Sequence, residues 1–463
     1  MNTFDVCVIG GGSGGFGAAC SAARRGSRVL LVEAGPGLGG TSTFAGVNNY
    51  EPVAGATGLP QELYEYLLQT PHAVALQKRT VKYSTERPWG KYECARETDY
   101  RLSLSRKTGM PITFEPELMD RAMQHFLEQA GCTVWLTARF VDVHLTGERI
   151  TSITVNNGSG DQTIWASVFI DATADIYLAR AAGCQSAIGT ESGAVYAEPS
   201  APDRGELVLN NASLCYRISP LKPGEKAPVY PAPIEEDLAR IRPVTSIRTY
   251  PNGDLNMNPL HTMTGFEAHE LGNRAHAVAL KRTAAHWHLL QTQYGFEFAP
   301  WKRVWTSPML GVRETHRLVG QYVLREQDLT ATLAGQTHGD VIAIADHSID
   351  FHGARPSREL PGPYGIPFRC LLPREVTNLL VSCRGASFSS IGASSCRLSR
   401  TMMVLGQAAG TAASLFGDRV HTFDAQRLRA ELVKDGVALD LQTGCLDAMP
   451  GIRPIPDCSP ANT

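Results

Sequence analysis

Three glycines near the start of the chain have the spacing of a dinucleotide-binding turn. Gly10, Gly12 and Gly15 form Gly-x-Gly-x-x-Gly directly after the apolar run at residues 6–9. The first glycine permits a tight turn, the second lets the backbone approach a pyrophosphate, and the third lets the next helix lie close to the strand. The segment therefore predicts a strand, a turn and a helix whose N-terminus faces phosphates.

Glu33 ends the second apolar run, where an acceptor for ribose hydroxyls is expected. A carboxylate at this position disfavours a 2′-phosphate, so NADP is not expected here. The alternative is a glycine-rich turn in an ordinary β-α-β unit.

Composition and charge narrow the class of protein. The 463 residues, 43% of them hydrophobic, are enough for a large core. Lys and Arg total 43 against 45 Asp and Glu, so we expect neither a nucleic acid nor a membrane as partner. The chain starts without a charged, apolar leader, which predicts a cytoplasmic protein. Eleven scattered cysteines, without a C-x-x-C pair, indicate reduced thiols and no metal site.

The order of the segments predicts an α/β protein in which a nucleotide-binding domain is interrupted by inserted material. Proline-rich and polar stretches separate the β-rich and helical blocks. We expect the nucleotide-binding domain at residues 1–45, 111–195 and 360–440, a pocket insertion at 46–110, a substrate or cap domain at 196–359, and an irregular tail at 441–463.

Three further segments carry a family resemblance. Residues 167–183 read SVFIDATADIYLARAAG, residues 378–384 read NLLVSCR, and residues 311–317 read GVRETHR. They resemble the second nucleotide signature, the C-terminal flavin strand and the Gly-x-Arg-Glu-Thr-x-Arg signature of the FAD-dependent oxidoreductase family. The resemblance implies FAD and a Rossmann-like, glutathione-reductase-type FAD-binding domain with an inserted α+β substrate or cap domain.

The glycine motif and the resemblance together predict the residues that hold FAD. These are Gly10, Gly12, Gly15, Glu33, Ala34, Gly40, Thr41, Val141, Ala172, Thr173, Asp175, Cys383, Arg384 and Arg397. Ala174 and Cys383 stand where the family usually has glycine. Two interpretations of Cys383 stay open: a covalent flavin link, or a small residue packed beside the cofactor.

Arginines supply candidates for substrate binding. Arg313 and Arg317 are four residues apart and share a face if the segment is helical, where they would suit a carboxylate or a polyhydroxylated substrate. The alternative is an internal salt-bridge network with Glu314. Arg397 is expected early in a helix beginning near residue 394 or 395, and its alternative is a solvated surface position.

His347, Asp350 and His352 lie together in ADHSIDFHG. Asp350 and His352 share strand parity if the stretch is extended, so the carboxylate could orient His352 as a base. Structural polar packing is the alternative. Tyr50, next to Asn48 and Asn49, is a second catalytic candidate.

These observations predict an FAD-dependent dehydrogenase or oxidase. It would take a hydride from a polar small molecule, such as a sugar, polyol, hydroxy acid or amine, to flavin N5. The chain has a single complete glycine motif and no C-x-x-C or C-x-x-x-x-C pair, which disfavours a disulfide reductase. Alternatives are a non-redox isomerase or hydratase with FAD as a scaffold, and a flavin monooxygenase. The electron acceptor and the oligomeric state are left open.

Overall fold

The structure is a computed structural model that describes residues 2–77, 94–228, 233–241, 245–352 and 356–451. Its strands, in chain order, are β1 (Asn2–Ile9), β2 (Val29–Val32), β3 (Asn49–Tyr50), β4 (Val74–Leu76), β5 (Ile112–Phe114), β6 (Thr133–Trp135), β7 (Arg139–Thr146), β8 (Arg149–Asn156), β9 (Asp161–Asp171), β10 (Ser186–Ala187), β11 (Tyr216–Pro220), β12 (Thr245–Thr249), β13 (Leu255–Pro259), β14 (Trp301–Thr306), β15 (Arg317–Leu318), β16 (Val341–Ala345), β17 (Tyr364–Pro367) and β18 (Leu379–Val381).

The α-helices alternate with these strands. They are α1 (Ser13–Arg24), α2 (Leu59–Leu67), α3 (Pro116–Gln129), α4 (Tyr177–Ala181), α5 (Gly193–Tyr196), α6 (Glu235–Arg240), α7 (Gly265–Leu271), α8 (Ala275–Gln293), α9 (Gly295–Phe298), α10 (Glu326–Gly335), α11 (Ser390–Cys396), α12 (Ser399–Phe416), α13 (Ala425–Lys434) and α14 (Leu441–Gly444).

A twisted sheet with a parallel part forms the centre of the fold. Strands β6, β2, β1, β9 and β18 are parallel neighbours in this order, and β7 and β8 continue as an antiparallel meander from the first half of β9. The second half of β1 is buried throughout, as expected for a parallel strand covered on both faces. The mixed α/β class predicted from the sequence is therefore confirmed.

Helices α1 and α12 pack against each other with unusually close backbones. A Cβ atom added at Gly406 would lie 1.9 Å from the carbonyl oxygen of Gly14, and one at Gly410 would lie 2.1 Å from that of Ala18. Only glycine permits this approach, because any side chain would occupy the partner helix's backbone.

Smaller sheets accompany the central sheet. Strands β12, β13, β11 and β14 form an antiparallel sheet whose buried side chains pack on Trp287 and Leu290 of α8. Strand β5 pairs with β3 and β4, and β16 pairs with β17. Residues 78–93, within the predicted pocket insertion, lie outside the described residues.

Three local predictions from the sequence differ from the structure. Residues 312–316 are not helical but run as an irregular segment into β15. The predicted helix from residue 394 or 395 is instead two helices, α11 and α12, separated at Arg397 and Leu398. The tail, predicted to be irregular from residue 441, starts with the short helix α14, whose N-terminus is capped by the Asp440 side chain accepting a hydrogen bond from the Thr443 amide. Residues 452–463 lie outside the described residues.

Candidate functional site

A long groove runs along the carboxyl ends of the parallel strands, beside the glycine motif. Gly10 has a φ of 99°, which the turn after β1 requires. Gly12 is the N-cap residue of α1 and has no side chain to cover the helix N-terminus. A Cβ atom added at Gly12 would have no atom within 4 Å, so the space beside it is open. Gly15 packs against the turn, since a Cβ there would lie 1.7 Å from the Gly10 carbonyl oxygen.

Most residues predicted to hold FAD line this one groove, which has a cavity volume of about 990 Å³. Those residues are Gly10, Gly12, Glu33, Ala34, Gly40, Thr41, Val141, Ala172, Thr173, Asp175 and Arg384. Gly15, Cys383 and Arg397 do not line it. Gly15 lies beneath the turn, Cys383 is buried, and Arg397 lines the adjoining cavity.

The carboxylate of Glu33 lies at the groove and is held by backbone amides. Gly11 N donates to Glu33 Oε2 over 2.6 Å, and Gly35 N donates to Oε1 over 2.5 Å. Because each carboxylate oxygen has two acceptor sites, both oxygens can still accept a further hydrogen bond. Glu33 is thus oriented to receive donors such as ribose hydroxyls.

The second signature forms a polar wall of the groove. Arg384 Nη2 lies 2.6 Å from Asp175 Oδ1, which also accepts a hydrogen bond from Thr315. Ala174, where the family has glycine, takes a φ of 68° and so keeps the left-handed backbone of the turn.

Cys383 is a buried thiol and not an activated one. Burial raises its pKa to about 12, so the thiolate that a covalent flavin link would need is strongly disfavoured. Its side chain is 5% exposed and lies two residues after the end of β18. The geometry therefore favours the packing interpretation over covalent attachment.

A second cavity of about 360 Å³ adjoins the groove, and Thr41 and Val312 line both. All five residues predicted to be catalytic line this cavity: Tyr50, Arg313, Asp350, His352 and Arg397. Residues far apart in the chain therefore converge beside the groove.

Arg313 and Arg317 have different surroundings although they belong to one motif. Arg317 is 1% exposed and pairs with Glu314 and Glu191, which is the internal network that the sequence left as an alternative. Arg313 faces the cavity, and its Nη1 donates to the Asn211 carbonyl and, over 3.0 Å, to Ser213 Oγ. Burial, together with the nearby charge of Arg397, lowers the pKa of Arg313 to about 10.

A turn brings Asp350 and His352 together, whereas the sequence predicted that they share one face of an extended strand. His352 has a φ of 45°, its amide donates to Asp350 Oδ1 over 3.0 Å, and its Nε2 lies 3.4 Å from Oδ2. Arg397 Nη2 lies 3.7 Å from the same Oδ2. Burial raises the pKa of Asp350, but the charges of His352 and Arg397 outweigh it and hold that pKa well below its usual range.

Tyr50 lines the cavity with its ring, which packs at 4.6 Å from the Phe114 ring. Its hydroxyl lies 3.9 Å from the sulfur of Met119. Burial raises the pKa of Tyr50 to about 12, so this phenol is a poor proton acceptor at neutral pH. Asn49 lines the cavity as well, whereas Asn48 is buried and donates to Thr113.

The sequence analysis missed a group of cavity residues: Glu51, Arg106, Arg248, Asn258 and Arg400. Arg248 Nη2 lies 2.6 Å from Glu51 Oε1, and Arg106 Nη1 lies 3.6 Å from Oε2. Burial raises the pKa of Glu51, but these two arginines outweigh it and lower the pKa to about 2. No local motif marks these positions, because they come together only where β12, β13, the first turn of α12 and the loops after β3 and before β5 meet.

The groove and the cavity fit a dinucleotide-binding protein. The open space at Gly12, the oriented carboxylate of Glu33 and the length of the groove fit an adenine dinucleotide, and the adjoining cavity leaves room for a substrate. Within the described residues, no group of three or more His, Cys, Asp or Glu side chains is arranged to hold a metal ion. The ten described cysteines are free, and Cys458 lies outside the described residues.

The chain belongs to the FAD dependent oxidoreductase family, whose model matches residues 5–432. The protein is accordingly an oxidoreductase, and its cofactor is FAD. No curated protein sequence matches the chain. In the part of the chain that the structure describes, none of the helices has the length and apolar character needed to cross a membrane.

Solved structures give distant likenesses. A geranylgeranyl bacteriochlorophyll reductase-like protein from Thermoplasma acidophilum is 14% identical, with a TM-score of 0.48 over 94% of this chain and 83% of that one. A myxobacterial chondrochloren halogenase is 14% identical, with a TM-score of 0.46 over 93% of this chain and 78% of that one. The p-nitrophenol 4-monooxygenase of Pseudomonas putida is 12% identical, with a TM-score of 0.40 over 96% of this chain and 83% of that one.

Proposed function

We propose that the protein oxidises a small carboxylate-bearing molecule, such as a hydroxy acid or an amino acid, by removing a hydride. The observation that carries this proposal is the charge of the cavity beside the groove. Among the described residues lining it, five are arginines and two are carboxylates. Such a cavity favours an anion over the neutral sugars and polyols that the sequence left open.

Arg313 is the clearest anchor for that anion. Within the described residues, no carboxylate lies within ion-pair distance of its guanidinium, and its hydrogen bonds go to a carbonyl and a hydroxyl. Burying a charge without an opposite charge is costly, and a bound carboxylate would offset this cost. Arg397, which shares its partner Asp350 with His352, supplies a second guanidinium on the same cavity.

Bound FAD would supply the oxidant for two electrons. The chain's own residues would bind and orient the substrate: Arg313 and Arg397 hold its carboxylate, and Asn258 and Ser213 offer neutral hydrogen-bonding groups. The N-terminus of α12, which has no side-chain cap, reaches the same cavity through Leu398 and Ser399 and adds backbone donors. We also infer that the groove belongs to the glutathione-reductase type, since it lies at the carboxyl ends of β1, β2 and β9 and β18 is a parallel neighbour of β9.

An anaerobic screen of flavin bleaching tests the proposal. Hydroxy acids and amino acids should bleach the flavin, whereas the matching primary amides and diols should not. With a reducing acid in hand, Arg313→Met should raise KM about tenfold to a hundredfold, the loss expected for a charged hydrogen bond, and leave the limiting rate of reduction nearly unchanged. Arg274→Met, at an exposed arginine before α8, is the matched control.

Two results would contradict the proposal. The first is bleaching by a neutral polyol with the same efficiency as by its acid. The second is turnover that does not come from oxidation of the substrate by the flavin: it would show either as an unchanged flavin spectrum, as in a non-redox isomerase, or as strict dependence on NAD(P)H consumption, as in a monooxygenase.

A further inference from the structure

We infer that His347, and not His352, accepts the proton of this reaction at its Nε2 atom. The inference rests on the proposed function, because it assigns a residue to the oxidation of the carboxylate-bearing substrate. His347 immediately follows Asp346 after β16, at the point where the chain enters the cavity, and its side chain is 5% exposed.

The hydrogen bonding of His347 defines which nitrogen can accept a proton. Nδ1 lies 2.9 Å from the carbonyl oxygen of Ser348. A carbonyl oxygen only accepts, so Nδ1 must carry the hydrogen and Nε2 of the neutral ring carries the lone pair. The neutral ring is therefore in the tautomer whose Nε2 can accept a proton.

The backbone around His347 is held from several sides. Ser395 donates its hydroxyl hydrogen to the His347 carbonyl, and Tyr364 OH lies 2.7 Å from Ser395 Oγ. The carboxylate of the preceding residue, Asp346, accepts from the amides of Ala54 and Arg106, each over 2.8 Å. A proton acceptor needs this kind of fixed position relative to the substrate.

The charges that face His347 keep it neutral. Burial, together with the charges of Arg106 and Arg397, lowers the pKa of His347 to about 4, although Asp350 and Glu51 act in the opposite direction. The imidazole is thus unprotonated at neutral pH. His352, by contrast, has its Nε2 3.4 Å from Asp350 Oδ2, so this nitrogen already lies against a carboxylate.

Substrate binding would make His347 a stronger base. A carboxylate placed at Arg397 and Arg313 offsets the positive charge that disfavours protonation of His347. The substrate's O–H or N–H bond then breaks, with its proton passing to Nε2, while the C–H bond breaks, with its electron pair passing as hydride to FAD. The substrate is oxidised by two electrons to a carbonyl or imine, and the imidazolium returns its proton to solvent.

The test compares His347→Asn with His144→Asn, a matched change at an exposed histidine on β7. Asparagine can keep the donor to Ser348 but has no basic nitrogen. After FAD content and thermal stability are checked, the limiting rate of anaerobic flavin reduction should fall by about 10² to 10⁴ in His347→Asn and stay unchanged in His144→Asn. His347→Gln provides a second variant if the first loses FAD.

The pH dependence separates a base from a structural residue. In the wild type, kcat/KM should fall only as the pH approaches 4, which is the pKa of His347 in the free enzyme. The acid limb of kcat should lie at higher pH, because the bound carboxylate raises this pKa, and both limbs should be absent in His347→Asn. Nitrogen NMR of ¹⁵N-histidine-labelled, substrate-free holoenzyme should show hydrogen on Nδ1 of His347 at pH 7.

Each outcome decides a different claim. If hydroxy or amino acids bleach the flavin but His347→Asn reduces it at the wild-type rate, the assignment of His347 is overturned and the proposed function stands. A rate loss in His352→Asn alone would restore His352 as the acceptor. If no carboxylate-bearing compound bleaches the flavin, the proposed function fails, and this assignment fails with it. Hydrogen found on Nε2 at pH 7 overturns the assignment independently of any substrate.

Discussion

Glu33 shows how one side chain links the turn to the groove. Its two carboxylate oxygens accept hydrogen bonds from the amides of Gly11 and Gly35, and the residue lines the groove. We predict that Glu33→Ala weakens FAD binding about tenfold to a hundredfold or more, since a hydrogen bond to a charged group contributes about 1.5 to 3 kcal/mol. Fluorescence titration of the apoprotein with FAD measures the dissociation constant.

The fold itself should survive this change, because Glu33 is only partly buried and lies outside the core. Circular dichroism of both apoproteins is the control. An unchanged dissociation constant would show that the carboxylate serves the loop alone and makes no contact with the cofactor.

At the scale of elements, the close contact of α1 and α12 positions both ends of the site. The N-terminus of α1 faces the groove, and the N-terminus of α12 faces the cavity. A methyl group at Gly406 would lie 1.9 Å from the Gly14 carbonyl oxygen, so Gly406→Ala must push the helices apart. We predict a destabilisation of at least about 1 to 3 kcal/mol, the usual cost of overpacking, and a lower FAD content.

Gly339→Ala is the matched control, because nothing lies within 4 Å of its Cβ position and its φ is not positive. Thermal unfolding and the ratio of flavin to protein absorbance compare the two variants. Equal melting temperatures would mean that the helices tolerate separation and do not act as one unit.

At the scale of the whole molecule, acid stability should report on His347. Its pKa is about 4 in the folded protein and 6.5 in an unperturbed chain, so the unfolded state binds more protons between these values. The contribution of His347 to the free energy of unfolding is therefore fully present above pH 6.5 and is lost as the pH falls to about 4. The difference corresponds to about 3 kcal/mol, at 1.36 kcal/mol for each pKa unit.

Asp346 acts in the opposite direction, since burial raises its pKa to about 6 and the folded state binds the extra proton. Comparing the wild type with His347→Asn removes this contribution, because both proteins retain Asp346. Urea unfolding at pH 7 and pH 4 should show the stability of the wild type falling by about 3 kcal/mol relative to the variant. A constant difference would show that His347 does not change its pKa on folding.

The sequence by itself determined the local chemistry of the nucleotide site. Gly10, Gly12, Gly15 and Glu33 lie within one β-α-β unit, where short-range spacing fixes geometry, and the structure places them as that spacing predicts. The mixed α/β class and the cofactor could also be predicted, because alternating apolar runs and flavoprotein signatures are local patterns.

The tertiary structure alone decided what the second cavity contains. Its walls come from the loop after β3, from β12 and β13, from Arg313 and from the residues after β16, and these segments lie up to about 300 residues apart. Arg313 and Arg317 are near neighbours in sequence, yet one faces the cavity and the other a buried ion pair, because the segment between them is not helical. The protonation of His347 likewise depends on burial and on arginines from other elements, which no local spacing encodes.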